Sequence, residues 1–205
     1  MAKLHRNKPT ARMANRPGEG LSIDVHLQQA VQADGQTTSV LGIDLASAPV
    51  PDRRYVSDVV SVIQGKDIIK ILFGQEKISS GLRSLVVIHM ASSSAKAFVA
   101  AIFEMKNPVV NEMQNISNKN TGLLFDISEE PEQTVALAAS VAAAAISGQE
   151  ACIDFYQISS FARVNVLTSK KINIDPVVRV ELPTSLLVAL VVKLKEMTRN
   201  SPLEE

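Results

Sequence analysis

Between Tyr55 and Met90 the apolar positions fall into three short runs, "YVSDVVSVIQ", "DIIKILFGQ" and "LRSLVVIHM", each dense in β-branched residues. Such runs suit pleated strands, and Gly65-Lys66 between the first two reads as a hairpin turn. At "SSSAKAFVAAIFEM" the period changes: Phe98, Ile102 and Met105 recur on one helical face with Ala95 and Val99 beside it. Pro108 ends that helix. The pattern predicts a strand-strand-strand-helix unit. Upstream, "LSIDVHLQQAVQ" and "TTSVLGIDLA" alternate with partial period two around a turn at "ADGQ" and predict two lead-in strands.

The C-terminal third repeats the theme. "IDFYQIS", "ARVNVLTS" and "PVVRVEL" predict three strands, and "PTSLLVALVVKLKEM" a helix. Placing Met90 on Leu182 aligns the last strand and helix of both regions without a gap, so that Ser93 meets Ser185, Ala97 meets Ala189 and Glu104 meets Glu196. Agreement over a whole supersecondary unit reads as an internal duplication. Between the units, "NPVVNEMQNISNKNTG" has loop composition and "LLFDI" predicts a short strand. In "SEEPEQTVALAASVAAAAIS", Ser128 with acidic residues and Pro131 behind it reads as a helix start. The uncharged Ala- and Val-rich run that follows predicts a buried helix.

The fold class expected is therefore α+β: an antiparallel sheet with helices on one face, built from two related units. Residues 1–20 are expected as a disordered basic arm, 21–107 as lead-in strands and first unit, and 108–148 as linker, strand and Ala-rich helix. Residues 149–199 make the second unit and 200–205 a tail.

Composition narrows the function classes. An apolar fraction of 46% supplies a core, while only 4% aromatic residues and no Trp leave few stacking platforms for bases or sugars. Lys plus Arg and Asp plus Glu balance at 21 each, so no global charge attracts nucleic acid or an anionic membrane. The exception is local: Lys3, Arg6, Lys8, Arg12 and Arg16 precede the first acidic residue, Glu19, and form the candidate phosphate-contacting set of a nucleic-acid reading. No secretory signal or membrane-length apolar run is present, and a cytoplasmic protein without a membrane partner is expected.

Candidate chemistry is sparse. Ser93 and Lys96 have the Ser-x-x-Lys spacing of a serine nucleophile and its basic partner, but the other polar elements of such acyl sites are missing. In the repeat their counterparts are Ser185 and Val188, which favours a hydroxyl capping a helix start. His5, His26 and His89 are scattered, and His89 is expected as an exposed polar position. Glu129, Glu130 and Glu132 are explained by a helix N-terminus, and Cys152 as a buried, inert thiol. Neither catalysis nor a metal or cofactor is expected.

Tyr55 with "VVSV", Phe73-Gly74-Gln75, and "RSLVVIHMASSSAKAFVAAI" together resemble a bacterial family of small soluble proteins known as a domain of unknown function, over roughly residues 55–105. The resemblance implies no activity. A strand-rich sheet leading into a helix is also similar in topology to the export chaperone SecB. The leading expectation is a non-enzymatic protein-binding module, chaperone-like or an adaptor, using a sheet edge or apolar groove. The alternatives are a self-assembling homo-oligomer, such as part of a phage or mobile-element particle, and nucleic-acid binding through the basic arm.

Overall fold

Hydrogen-bond register organises the chain. The computed structural model describes residues 21–31, 37–43, 45–77, 81–105, 124–158 and 171–199. The lead-in strands β1 (Leu21–Val31) and β2 (Thr37–Ile43) pair antiparallel, and a short 3-10 turn at Leu45–Ser47 follows. After β3 (Arg54–Val56), strands β4 (Val59–Gln64), β5 (Ile68–Glu76) and β6 (Leu82–Ala91) form an antiparallel meander that runs into α1 (Ser92–Glu104). After β7 (Val135–Ala139), strands β8 (Val141–Ser147), β9 (Glu150–Ile158) and β10 (Lys171–Pro183) form a second meander, which runs into α2 (Thr184–Arg199). The fold is α+β, with two largely antiparallel sheets. One has the order β4-β5-β6-β7 and the other β2-β1-β10-β9-β8, with β3 also on β10.

The two meanders share a register. Val60 faces Phe73 in the first hairpin and Ala142 faces Phe155 in the second, an offset of 82 that holds along both hairpins. Phe73 faces Val86, and Phe155 faces Val178, so the third strands are offset by 92, the offset of the gapless sequence alignment. The ten extra residues fall between β9 and β10. A bulge interrupts both ladders at one equivalent place, next to Phe73 in the first and next to Phe155 in the second. The junction bonds match too. The Asp58 N–H donates to the Gly74 carbonyl, and Asp58 Oδ1 accepts from the Glu76 N–H. Ser140 makes the counterpart bonds to the Tyr156 carbonyl and the Ile158 N–H.

The strands preceding each meander are exchanged. β3 leads into the first meander but pairs in parallel with β10 of the second; β7 leads into the second but pairs in parallel with β6 of the first. Helix packing crosses over as well, since α1 lies against β8 and α2 against β4, with the two helices in contact. Lys195 on α2 sits over the Phe103 ring of α1, 4.6 Å from its centroid. Inward residues of both sheets and both helices share one core, at whose centre Phe73 and Phe155 meet edge to face with centroids 5.8 Å apart. A smaller cluster gathers Ile23, Tyr156, Ile158, Ile172 and Ile174.

Four expectations need correction. The Ala- and Val-rich run between Gln133 and Ser147 is not a helix but the strands β7 and β8. Alanine favours helix in isolation, yet tertiary packing overrides that preference. Here Ala142, Ala144 and Ile146 turn inward, and their small side chains let α1 approach the sheet. Gly148, at φ +62°, then turns the chain into β9. Ser128 accordingly starts no helix, and Phe125–Ile127 of the expected "LLFDI" strand is irregular. The strand expected over "IDFYQIS" is the second of its meander and not the first, while "ARVNVLTS" lies outside the described residues. Finally, α1 begins after Ala91 without a side-chain cap bond; the Ser92 N–H donates to the Asp67 carbonyl, so neither Ser93 nor its neighbours caps the helix.

Candidate functional site

Each sheet has an outer face, opposite the shared core, and register aligns the residues there into rows. On the first sheet one row is Lys70, His89 and Ala138, and the next is Ser61, Leu72, Val87 and Ala136. On the second sheet the equivalent rows are Ala145, Cys152, Glu181 and Val56, then Ala143, Asp154, Arg179 and Arg54. The two faces are thus comparable position by position, and they are finished differently.

The first face is crossed by the chain itself, with Ala136 and Ala138 at its β7 edge left exposed. Residues 124–134 run from the β4 edge, where the Phe125 N–H donates to the Val60 carbonyl, to β7 on the far side of the sheet. Midway, Glu130 Oε2 accepts from Lys70 Nζ at 2.7 Å and lies 3.2 Å from His89 Nε2. Thr134 donates its hydroxyl to Ser84 at 2.6 Å. The Lys70 ammonium, donating to Glu130, holds that carboxyl below the ordinary carboxylate range despite partial burial. On this strapped face Leu72 and Val87, which point away from the core, are fully buried at 0% exposure.

On the second face, among the described residues, Ile43, Leu45 and Ala48 close over Tyr156 and Ile158 at one end. In the next row Arg179 grips Asp154 with two bonds of 2.6 Å, Nε to Oδ1 and Nη2 to Oδ2. This bidentate pair raises the arginine's pKa further. The Tyr156 hydroxyl reaches Asp154 Oδ2 at 3.5 Å. Burial, with the Asp154 carboxylate beside it, pushes the phenol up to about 12. Beyond that pair the face opens into a concavity of about 710 Å³ lined by Val56, Ala145, Cys152, Arg179, Glu181 and Pro183. Val56 is 60% exposed. Glu181 faces Arg54 at 4.0 Å across an exposed pair.

The structure redistributes the residues singled out from sequence. Lys3, Arg6, Lys8, Arg12 and Arg16 lie outside the described residues. Ser93 and Lys96 are both exposed on α1. His89 is not a free surface residue but a half-buried partner of Glu130, and Glu130 belongs to the strap and to no helix. Cys152 is half-buried on the floor of the concavity, so the expectation of a buried thiol is corrected. Among the described residues no cluster of His, Cys, Asp or Glu is placed to hold a metal ion, and no helix is long and apolar enough to cross a membrane. Sequence reading missed the Asp154–Arg179 pair and the exposed Val56. The pair was traceable once β9 and β10 were seen as neighbours, because both charges sit among alternating apolar residues.

Comparisons with protein-family models, with curated proteins and with solved structures each return no match.

Proposed function

We propose that this chain is a non-enzymatic protein-binding module that holds an extended segment of another protein on the outer face of its second sheet. One observation supports this reading: the matching face of the first sheet is crossed by residues 124–134, whereas among the described residues no segment crosses the equivalent rows of the second sheet, which end at an exposed Val56. An exposed apolar side chain beside a concavity is a common feature of protein-contact surfaces. Arg179 and Asp154 neutralise each other, which lets a partner cross that row without meeting an isolated charge.

The two units are read as products of a duplication whose leading strands exchanged. Equal registers, the matching bulge and the matching junction bonds at Asp58 and Ser140 support this. Duplication supplies two equivalent faces, and closure of one by the chain's own linker leaves the other to a partner.

The test is a photo-crosslinking residue placed at Val56 and, in a second chain, at Ala138, its register counterpart on the strapped sheet. A discrete adduct with a second protein is expected from Val56 and not from Ala138, and Glu181→Lys should weaken it. Equal adducts from both positions, or none from Val56, would contradict the reading. Adducts solely between copies of this chain would replace it with self-assembly.

A further inference from the structure

Register correspondence says more than that the second face is open. In the row where the strap crosses the first sheet, the sheet offers two bases, Lys70 and His89, and the strap supplies an acid, Glu130. In the equivalent row of the second sheet the same two positions are Cys152 and Glu181. The sheet's charge there is inverted. Glu150, beside that row, adds a second carboxylate to the lining. The lining cation Arg179 is already committed to Asp154 through two bonds of 2.6 Å. Arg54 reaches Glu181 only across an exposed pair at 4.0 Å, which a ligand cation can displace, so the row offers two carboxylates with an apolar rim: Val56 and Pro183 on one side, Ala145 on the other.

We infer that the occupant of the second face is an extended, basic peptide segment of a partner protein, whose Lys or Arg side chain meets Glu181 where the strap's Glu130 meets Lys70 and His89. This rests on the protein-binding reading above and adds the chemistry of the partner. A single cation against a half-exposed carboxylate adds specificity and orientation more than affinity. The apolar residues flanking that cation supply the rest by covering Val56, as Leu72 and Val87 are covered on the first sheet.

The strap itself provides the probe. Three fluorescein-labelled peptides are titrated with the full-length protein by fluorescence anisotropy: residues 124–134 as they stand, the same peptide with Glu129, Glu130 and Glu132 as Gln, and the same peptide with those three as Lys. The lysine peptide should bind at least tenfold more tightly than the native one, and weaken as salt rises. Glu181→Lys should abolish or reverse that preference. If all three peptides bind equally, and Val56→Glu removes the binding, the face is a protein-binding site and the inference about charge is overturned. If none binds, the inference is overturned and the cross-link at Val56 decides the underlying reading separately. Binding that emerges only after Lys3, Arg6, Lys8, Arg12 and Arg16 are replaced by Ser would make the chain's own arm the occupant, and would overturn the partner assignment.

Discussion

The two outer faces are built on the same ladder of hydrogen bonds and solve one problem in opposite ways. On the first sheet Leu72 and Val87 face outward as an apolar pair, and the chain spends residues 124–134 covering them. On the second sheet the register counterparts are Asp154 and Arg179, which satisfy each other through two bonds while largely shielded, at 12% and 21% side-chain exposure. An outward apolar pair is stable only under cover, whereas a shielded charge pair is stable only when its hydrogen bonds are satisfied, as the bidentate geometry does here. The difference shows how equivalent scaffolds can diverge through two cross-strand positions, one carrying an apolar pair and the other an ion pair.

The comparison can be broken most severely at its shared centre. Phe73→Ala and Phe155→Ala should each cost about 3–5 kcal/mol in urea unfolding, because each removes a fully buried ring from the same core. The double substitution should cost less than their sum, since the rings touch each other. Unequal costs, with one nearly silent, would mean that the halves do not share a core.

Next in size is the ion pair. Arg179→Met alone should destabilise by about 3 kcal/mol, leaving Asp154 without its partner. Changing Asp154→Leu together with Arg179→Val installs the pair found at Leu72 and Val87, and stability should return to within about 1 kcal/mol of the parent.

A smaller effect is expected at the strap. Glu130→Gln should cost about 1 kcal/mol and speed amide exchange over residues 124–134. Because the Glu130 carboxyl is held below its ordinary value, its contribution is present above the ordinary carboxylate range and lost as pH falls through the lowered value. Acid should therefore loosen the strap in the parent, and Glu130→Gln should remove that part of the pH dependence.

Smallest is the alkaline limb. With the Tyr156 phenol raised to about 12, stability is intact below pH 10 and declines as pH rises from there toward 12, where the folded protein also ionises. Tyr156→Phe should flatten that decline in thermal unfolding measured across pH. An unchanged alkaline limb would detach Tyr156 from it.

Much of this architecture could be read from pattern. The runs at "DIIKILFGQ" and "LRSLVVIHM" are dense enough in β-branched residues to specify β5 and β6, and the helical face of Ala95, Phe98, Val99 and Ile102 buries as its spacing implies. "VALAASVAAAAIS" misled because alanine's preference for helix is a local property, while its use in β8 depends on how closely α1 packs there. The hairpin signal was present in Ser147-Gly148-Gln149-Glu150, where a lone glycine separates apolar runs. Strand exchange was not legible at all, because β3 and β7 are short and their partners are set by tertiary pairing with β10 and β6. The candidate site inherits that limit. Its rows join residues from β3, β8, β9 and β10, and no spacing along the chain places Val56 beside Glu181.

The closure of one face and the openness of the other can be measured with the chain's single cysteine. Cys152 lies in the open row of the second sheet, and Val87→Cys in a Cys152→Ser background places a thiol under the strap of the first. Under native conditions Cys152 should react with a maleimide at least tenfold faster than the thiol at position 87, and unfolding in urea should bring the two rates together. Equal native rates, or a slower Cys152, would contradict the division into a strapped face and an open one.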